Sequence, residues 1–128
     1  LVKSAENFLD HAYAPYSNYH VGACCLCKDG KYFYGANIEN ASYPLGMCGE
    51  RNAIYNAYMH GYKKDDLVAL AIVADSNEVC SPCGACRQVI SELFPRDAKI
   101  YMANLKGDVK EVTIEDLLPY SFTSEDLK

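Results

Sequence analysis

The chain has 128 residues, half of them hydrophobic, which fits one compact domain with a single core, residues 1–128, rather than two. Lys and Arg (12) against Asp and Glu (17) give a formal net charge of −5, with the basic residues scattered through stretches such as "KYFYG" and "GYKKDD". Nucleic acid or an anionic membrane would need a concentrated positive face, so a small neutral ligand suits this balance better.

No run of Pro, Gly and Ser, block of like charge or repeat divides the chain. The longest apolar stretch, "LVALAIVAD" from Leu67, is far too short to span a bilayer. The first residues lack a basic stretch leading into an apolar run, so the expected location is the cytoplasm. Cysteines number 7, an odd count without secretory context. Thiolates used as metal ligands in a reducing compartment are the better reading than a disulfide framework.

In chain order, Val2, Ala5, Phe8, Leu9 and Ala12 recur at helical spacing, and Pro15 prevents continuation. "HVGACCLC" and "KYFYGA" are short apolar segments joined by "KDGK", whose Asp-Gly pair signals a tight hairpin turn at Gly30. From Cys48 onward, Ala53, Ile54, Ala57 and Tyr58 form a helical stripe, with Gly61 as its C-terminal stop. "LVALAIVAD" reads as a strand covered on both faces. A second helix follows, with Ser81 and Pro82 as start signals and Val89, Ile90, Leu93 and Phe94 as its stripe. "KIYMAN" is a further strand and "DVKEVT" a last one, and Thr113 with Asp116 forms a capping box opening the short helix "IEDLLP".

Strand alternating with helix predicts right-handed crossovers and a partly parallel sheet layered with helices; the initial hairpin makes the sheet mixed. Ligands of such sheets collect at the carboxyl ends of strands, where helices begin. Both cysteine motifs lie there.

Cys83 and Cys86, three apart at a helix head, can turn both sulfurs to one point, and Cys48 sits at the head of the preceding helix. A Cys-x-x-Cys alone could equally be redox-active; the added Cys-x-Glu and the Pro before Cys83 favour one metal ion held by two helix starts. Three thiolates weaken a zinc ion as a Lewis acid unless positive groups withdraw charge from sulfur. The helix N-termini supply that, Arg51 is the best further donor, and Arg87 is a second candidate whose plain reading is a surface arginine. With no obvious fourth protein ligand, one coordination position is open to water, as in catalytic zinc sites. Glu50 then becomes a general acid/base rather than a first-turn residue complementing the helix dipole.

"NIENASYPLGMCGERNAI" together with "SPCGACRQVISELF" closely resembles the cytidine deaminases of the short, homotetrameric, three-cysteine type, from about Tyr13 to Phe122. The resemblance implies a three-layer α/β/α fold with a five-stranded mixed sheet, and hydrolysis of cytidine and deoxycytidine to the uridines in pyrimidine salvage. It implies one Zn²⁺ per chain on Cys48, Cys83 and Cys86. Glu50 would carry protons to N3 and to the leaving ammonia as activated water attacks C4. It further implies that Asn37 and Glu39 bind ribose hydroxyls and that Tyr19 stacks on the pyrimidine where the family usually has Phe. Tyr43 and Phe122 would line a neighbouring subunit's site in a homotetramer with shared active sites. No nucleic acid or membrane partner is implied.

Where the family reads Cys-Ala-Glu-Arg-Thr, this chain has Gly49 and Asn52. Glycine keeps a backbone contact to the pyrimidine while loosening the helix start. Cys25 and Cys27 share one strand face and Cys24 takes the other, as small apolar packing; Cys80 lies near the metal segment as an unfavoured competing ligand. His11, His20 and His60 read as structural or exposed. Three competing functions remain: deamination of a bulkier aminoacyl-nucleoside, against which Asn37 and Glu39 argue; a structural zinc module, which needs a fourth ligand; and nucleic-acid editing, which needs a basic path.

Overall fold

In the computed structural model, which describes residues 1–122, α1 spans Val2–Asn7 and a 3₁₀ turn follows at Leu9–His11. The expected first helix is thus split. Its backbone from Ala5 to Leu9 lies directly on Gly22, where an added Cβ would collide with the Ala5 carbonyl and crowd the Leu9 amide. The chain tightens there, and the His11 amide bonds the Phe8 carbonyl at 3.0 Å.

β1 (Val21–Cys27) and β2 (Tyr32–Ala36) form the expected antiparallel hairpin. Gly30 turns it with φ +89, and its amide bonds the Cys27 carbonyl at 3.0 Å. After α2 (Gly49–Met59), β3 (Leu67–Ala74) pairs antiparallel with the other side of β1. α3 (Gly84–Leu93) then leads into β4 (Lys99–Asn104), parallel to β3, and β5 (Val109–Val112) returns antiparallel to β4. The order is β2-β1-β3-β4-β5. The short α4 (Ile114–Leu117) opens with the expected capping box, Asp116 accepting the Thr113 amide at 3.0 Å.

The two faces are covered differently. α2, α3 and α4 bury Ala53, Ile54, Ala57, Ile90, Phe94 and Ile114 against Ala23, Cys25, Cys27, Leu70 and Ile72. α1 and its turn cover the opposite face, setting Ala5 and Leu9 on Cys24, Ala71, Val73 and Ala103. The expected α/β fold, a five-stranded mixed sheet with helices on both faces, is the observed one. Cys24, Cys25 and Cys27 divide between the faces as alternation requires, all buried.

β2 and β3 both run antiparallel to β1, so the connection through α2 links two parallel strands, as does the connection through α3. Both helices therefore begin at the same edge of the sheet. At Gly35 an added Cβ would overlap the backbone of Ala53 and Gly49, so α2 rests on β2 with no side chain between. Residues 37–39 extend this floor. The Tyr13 amide bonds the Asn37 carbonyl at 2.9 Å, and Ile38 and Met47 exchange bonds of 2.9 and 2.8 Å just before Cys48.

Candidate active site

Cys48 is the N-cap of α2 and Cys83 that of α3, both in extended backbone, while Cys86 lies in the first turn of α3. α3 begins at Gly84, later than Ser81 and Pro82 suggest, which leaves Cys83 outside the helix and aimed at Cys48. The three sulfurs lie within 4.8 Å of one another and could hold a metal ion; no other such cluster of His, Cys, Asp and Glu exists among the described residues. Tetrahedral zinc with Zn–S bonds of about 2.3 Å requires sulfurs about 3.8 Å apart. Cys48 Sγ and Cys83 Sγ are separated by 3.8 Å, so the donor set fits zinc.

The surroundings favour negative sulfur. Arg51 donates from a terminal nitrogen to Cys48 Sγ at 3.3 Å, and its buried Nε has no protein partner. Unpaired amides at the two helix starts add partial positive charge. The Cys48 thiol is pushed down to about 5, chiefly by the hydrogen bond from Cys86, with Arg51 and Cys83 adding and burial opposing. Cys86 moves upward, as the partner in that bond and by burial. The two thiols thus move in opposite directions as partners in one hydrogen bond, and a bound ion displaces the protons of thiol ligands.

Glu50 follows in the first turn of α2 and is 4 % exposed. Its carboxyl is pushed up to about 7, chiefly by burial and further by charge on Cys48. A carboxyl titrating there can both take and give a proton at neutral pH. A cleft of about 640 Å³ opens over the cluster, walled by Asn37, Glu39, Tyr43, Cys48, Arg51 and Cys83 among others. Its volume is of the size that holds a small organic ligand.

A family model described as the cytidine and deoxycytidylate deaminase zinc-binding region matches residues 1–103. The chain is 52% identical over 127 residues to a cytidine deaminase of Halalkalibacterium halodurans, covering 99% of this chain and 95% of that protein. It is 44% identical to one of Sporosarcina psychrophila, covering 99% and 92%. The crystal structure of a cytidine deaminase from Burkholderia pseudomallei superposes with a TM-score of 0.93 at 43% identity, covering 95% of this chain and 96% of that one. The chain belongs to the cytidine deaminase family.

It is accordingly a zinc-dependent enzyme of that family, and the three-sulfur cluster is the place in it that could hold the metal. The residues that the family resemblance singles out lie as follows. Asn37 already serves the fold: its Oδ1 accepts the Val21 amide at 2.9 Å and its Nδ2 donates to the Tyr19 carbonyl at 2.8 Å. Glu39 accepts the amides of Tyr16 and Ser17, both at 3.1 Å, and the Ser17 hydroxyl. Those bonds hold its carboxyl below the usual carboxylate range, the Ser17 hydroxyl foremost. Gly49 is buried, and an added Cβ would stand 3.2 Å from the Val21 carbonyl and 3.3 Å from the Asn37 amide, so the glycine fills a tight gap. Tyr43 lines the cleft while the residue is 92 % exposed. Tyr19, Glu50, Gly49 and Phe122 are not among the cleft's wall residues. Phe122 is exposed, its carbonyl accepting from Gln88 Nε2 at 2.9 Å.

Arg87 does not serve the sulfurs. It donates to the carbonyls of Pro82 and Leu117, each at 2.8 Å, and to Ser81 Oγ at 2.6 Å, clasping the cysteine loop to α4. The histidines hold local contacts: His20 pairs with Asp75 at 3.0 Å, and His60 Nδ1 lies 2.8 Å from the Asn56 carbonyl. Sequence reasoning missed Ser17, the hydroxyl partner of Glu39, and the placement of Cys80 beside Tyr19. A serine in a loop and a buried cysteine carry no spacing signal; only the chain's return brings their partners near.

Proposed function

We propose that the protein hydrolyses the exocyclic amino group of cytidine and deoxycytidine, giving the uridine nucleoside and ammonia, in pyrimidine salvage. The observation that carries this reading is the buried Glu50 beside three converged sulfurs. Likeness over nearly the whole chain to proteins named cytidine deaminase supports it.

Cys48, Cys83 and Cys86 would hold the ion, one Zn²⁺ per chain, which when bound lowers the pKa of water and so supplies the nucleophile. The protein's own groups do the rest. Glu50 accepts a proton from the attacking water, passes it to N3 of the pyrimidine, and then conveys a second to the departing amino nitrogen, so that one water enters and one ammonia leaves. Arg51 keeps negative charge on Cys48 tolerable through its 3.3 Å bond. Glu39 takes a ribose hydroxyl in place of the Ser17 hydroxyl, and Asn37 offers its remaining amide hydrogen to the sugar. Tyr19 stacks on the pyrimidine, and the Gly49 backbone borders it without a side chain to narrow the gap.

Residues 1–128 act as one domain in the cytoplasm, and four copies assemble with shared active sites. Support for assembly comes from the aromatic residues Tyr43 and Phe122, which are 92 % and 58 % exposed in the lone chain. Exposed aromatics, Tyr43 among them on the cleft wall, suit burial against another copy. Conversion of cytidine to uridine by the zinc-loaded protein, lost after chelation and restored by Zn²⁺, tests the reading. Absence of conversion by the zinc-loaded protein would refute it.

A further inference from the structure

Tyr19 sits in the loop before β1 and the residue is 41 % exposed, a setting in which a tyrosine ring would ordinarily sample several rotamers. Here its backbone is tied at one end and its hydroxyl at the other. The Tyr19 amide donates to Ser17 Oγ at 3.0 Å, and its carbonyl accepts Asn37 Nδ2 at 2.8 Å. At the far end, the hydroxyl donates to Cys80 Sγ at 3.7 Å, and the Ser76 side chain is a second hydrogen-bonding neighbour of the same hydroxyl. Asn18, just before it, adopts φ 57, a left-handed turn that aims Tyr19 back toward the sheet.

Cys80 is suited to be the fixed end. It is 4 % exposed, and its amide bonds the Ala103 carbonyl of β4 at 3.2 Å. The same loop is held a second time, because the buried Asn104 donates to the Asn77 carbonyl at 2.8 Å and to Asp108 at 2.9 Å. Cys80 precedes Cys83 by three positions on a single anchored loop, so the thiol and the metal-site sulfur share one support. It also lies close enough to Glu50 and Cys48 for their charges to act on it.

We infer that Cys80 is a positioning residue, whose sulfur holds the Tyr19 hydroxyl and so fixes the ring that borders the pyrimidine. This rests on the functional reading above for the identity of the ligand, but not for the ring's anchorage. A phenylalanine at this position would have no hydroxyl to anchor. The Tyr19 and Cys80 pair thus ties the segment that carries Asn37 to the loop that carries Cys83, at the margin of the cleft rather than in its wall. Presetting acts on binding more than on chemistry, because in the proposed course Glu50 moves the protons and the Tyr19 ring neither gives nor takes one.

Four variants test it: Tyr19→Phe, Cys80→Ala, Cys80→Ser and the double Tyr19→Phe/Cys80→Ala. Loss of one hydrogen bond to sulfur should raise KM for cytidine about two- to tenfold, with kcat within about twofold of the parent. Tyr19→Phe and Cys80→Ala should each do this, the double variant should be no worse than either, and Cys80→Ser, which retains an acceptor, should stay near the parent. Additive effects, or unchanged KM in both single variants, would overturn the pairing. A second readout is independent of turnover. With tyrosine ring carbons labelled, the Tyr19 signal among the 11 tyrosines is identified by its loss in Tyr19→Phe. It should move to a mobile, solvent-exposed position in Cys80→Ala, and an unmoved signal overturns the proposal. A parent with no activity on cytidine would refute only the functional reading, because the ring signal is read without ligand. Should Cys80→Ala fail to fold, Cys80→Val, which fills the site without an acceptor, takes its place in the same comparison.

Discussion

Glu50 combines 4 % exposure with a carboxyl pushed from 4.5 up to about 7, chiefly by burial, and this has a consequence for stability as well as chemistry. The folded protein holds the extra proton between those values, so Glu50's contribution to stability is full below pH 4.5 and is lost as pH rises through about 7. In metal-free protein, Glu50→Gln should therefore gain on the parent by on the order of 3 kcal/mol between pH 4 and pH 8. Denaturant unfolding at the two pH values measures this, and a pH-independent difference would show that the carboxyl is not desolvated. Arg51 has the opposite character, since its 3.3 Å bond to Cys48 Sγ compensates sulfur charge. Arg51→Ala should slow turnover or weaken zinc affinity about 10- to 100-fold, as loss of an outer partner does at other metal sites. Unchanged kinetics together with unchanged zinc affinity, read by competition with a chelator, would mean that the helix ends suffice. At this scale the sequence was most legible where spacing carries geometry, as in the convergence of Cys48, Cys83 and Cys86. It was silent where a side chain's partner arrives from a distant segment. The links from Asn37 to Val21 and Tyr19, and from Arg87 to Leu117, are of that kind.

Elements owe their positions to close approaches that composition hides. The helical stripe of α2 and the apolar run of β3 were plain in the sequence, and so was the hairpin at Gly30. The split of α1 was not, because it follows from contact of the Ala5 and Leu9 backbone with Gly22, and periodicity does not report the sheet beneath a helix. The late start of α3 was hidden for a related reason: Cys83 caps the helix in extended backbone, although cysteine is not a usual capping residue. Gly35 is the most demanding of these contacts, since backbone atoms of α2 occupy the space of its missing Cβ. Gly35→Ala should push α2 off β2, destabilise the protein by about 3 kcal/mol and displace Cys48 from the other sulfurs. Thermal unfolding and the zinc content of purified protein check this. A variant with parental stability and one zinc per chain would show that the helix rides freely on the strand.

Across the whole molecule, the sheet was legible because alternating strand and helix admits few arrangements, and parallel connections through α2 and α3 bring both helix starts to one edge. What lies beyond the single chain was legible only through family resemblance, since composition says nothing of assembly. Under the proposed assembly, the exposed Tyr43 on the cleft wall would be covered by a neighbouring copy, and activity would depend on association. Dilution through the dissociation range should lower specific activity in step with the loss of oligomer measured by sedimentation. Full activity in a monomeric fraction would contradict shared sites. The most direct measurement of the central claim is ammonia release from cytidine by zinc-loaded parent and Glu50→Gln, with zinc counted in both. The account predicts release by the parent, a loss of at least about 100-fold in the variant, and equal zinc. A variant that keeps its zinc and turns over at the parental rate would contradict it.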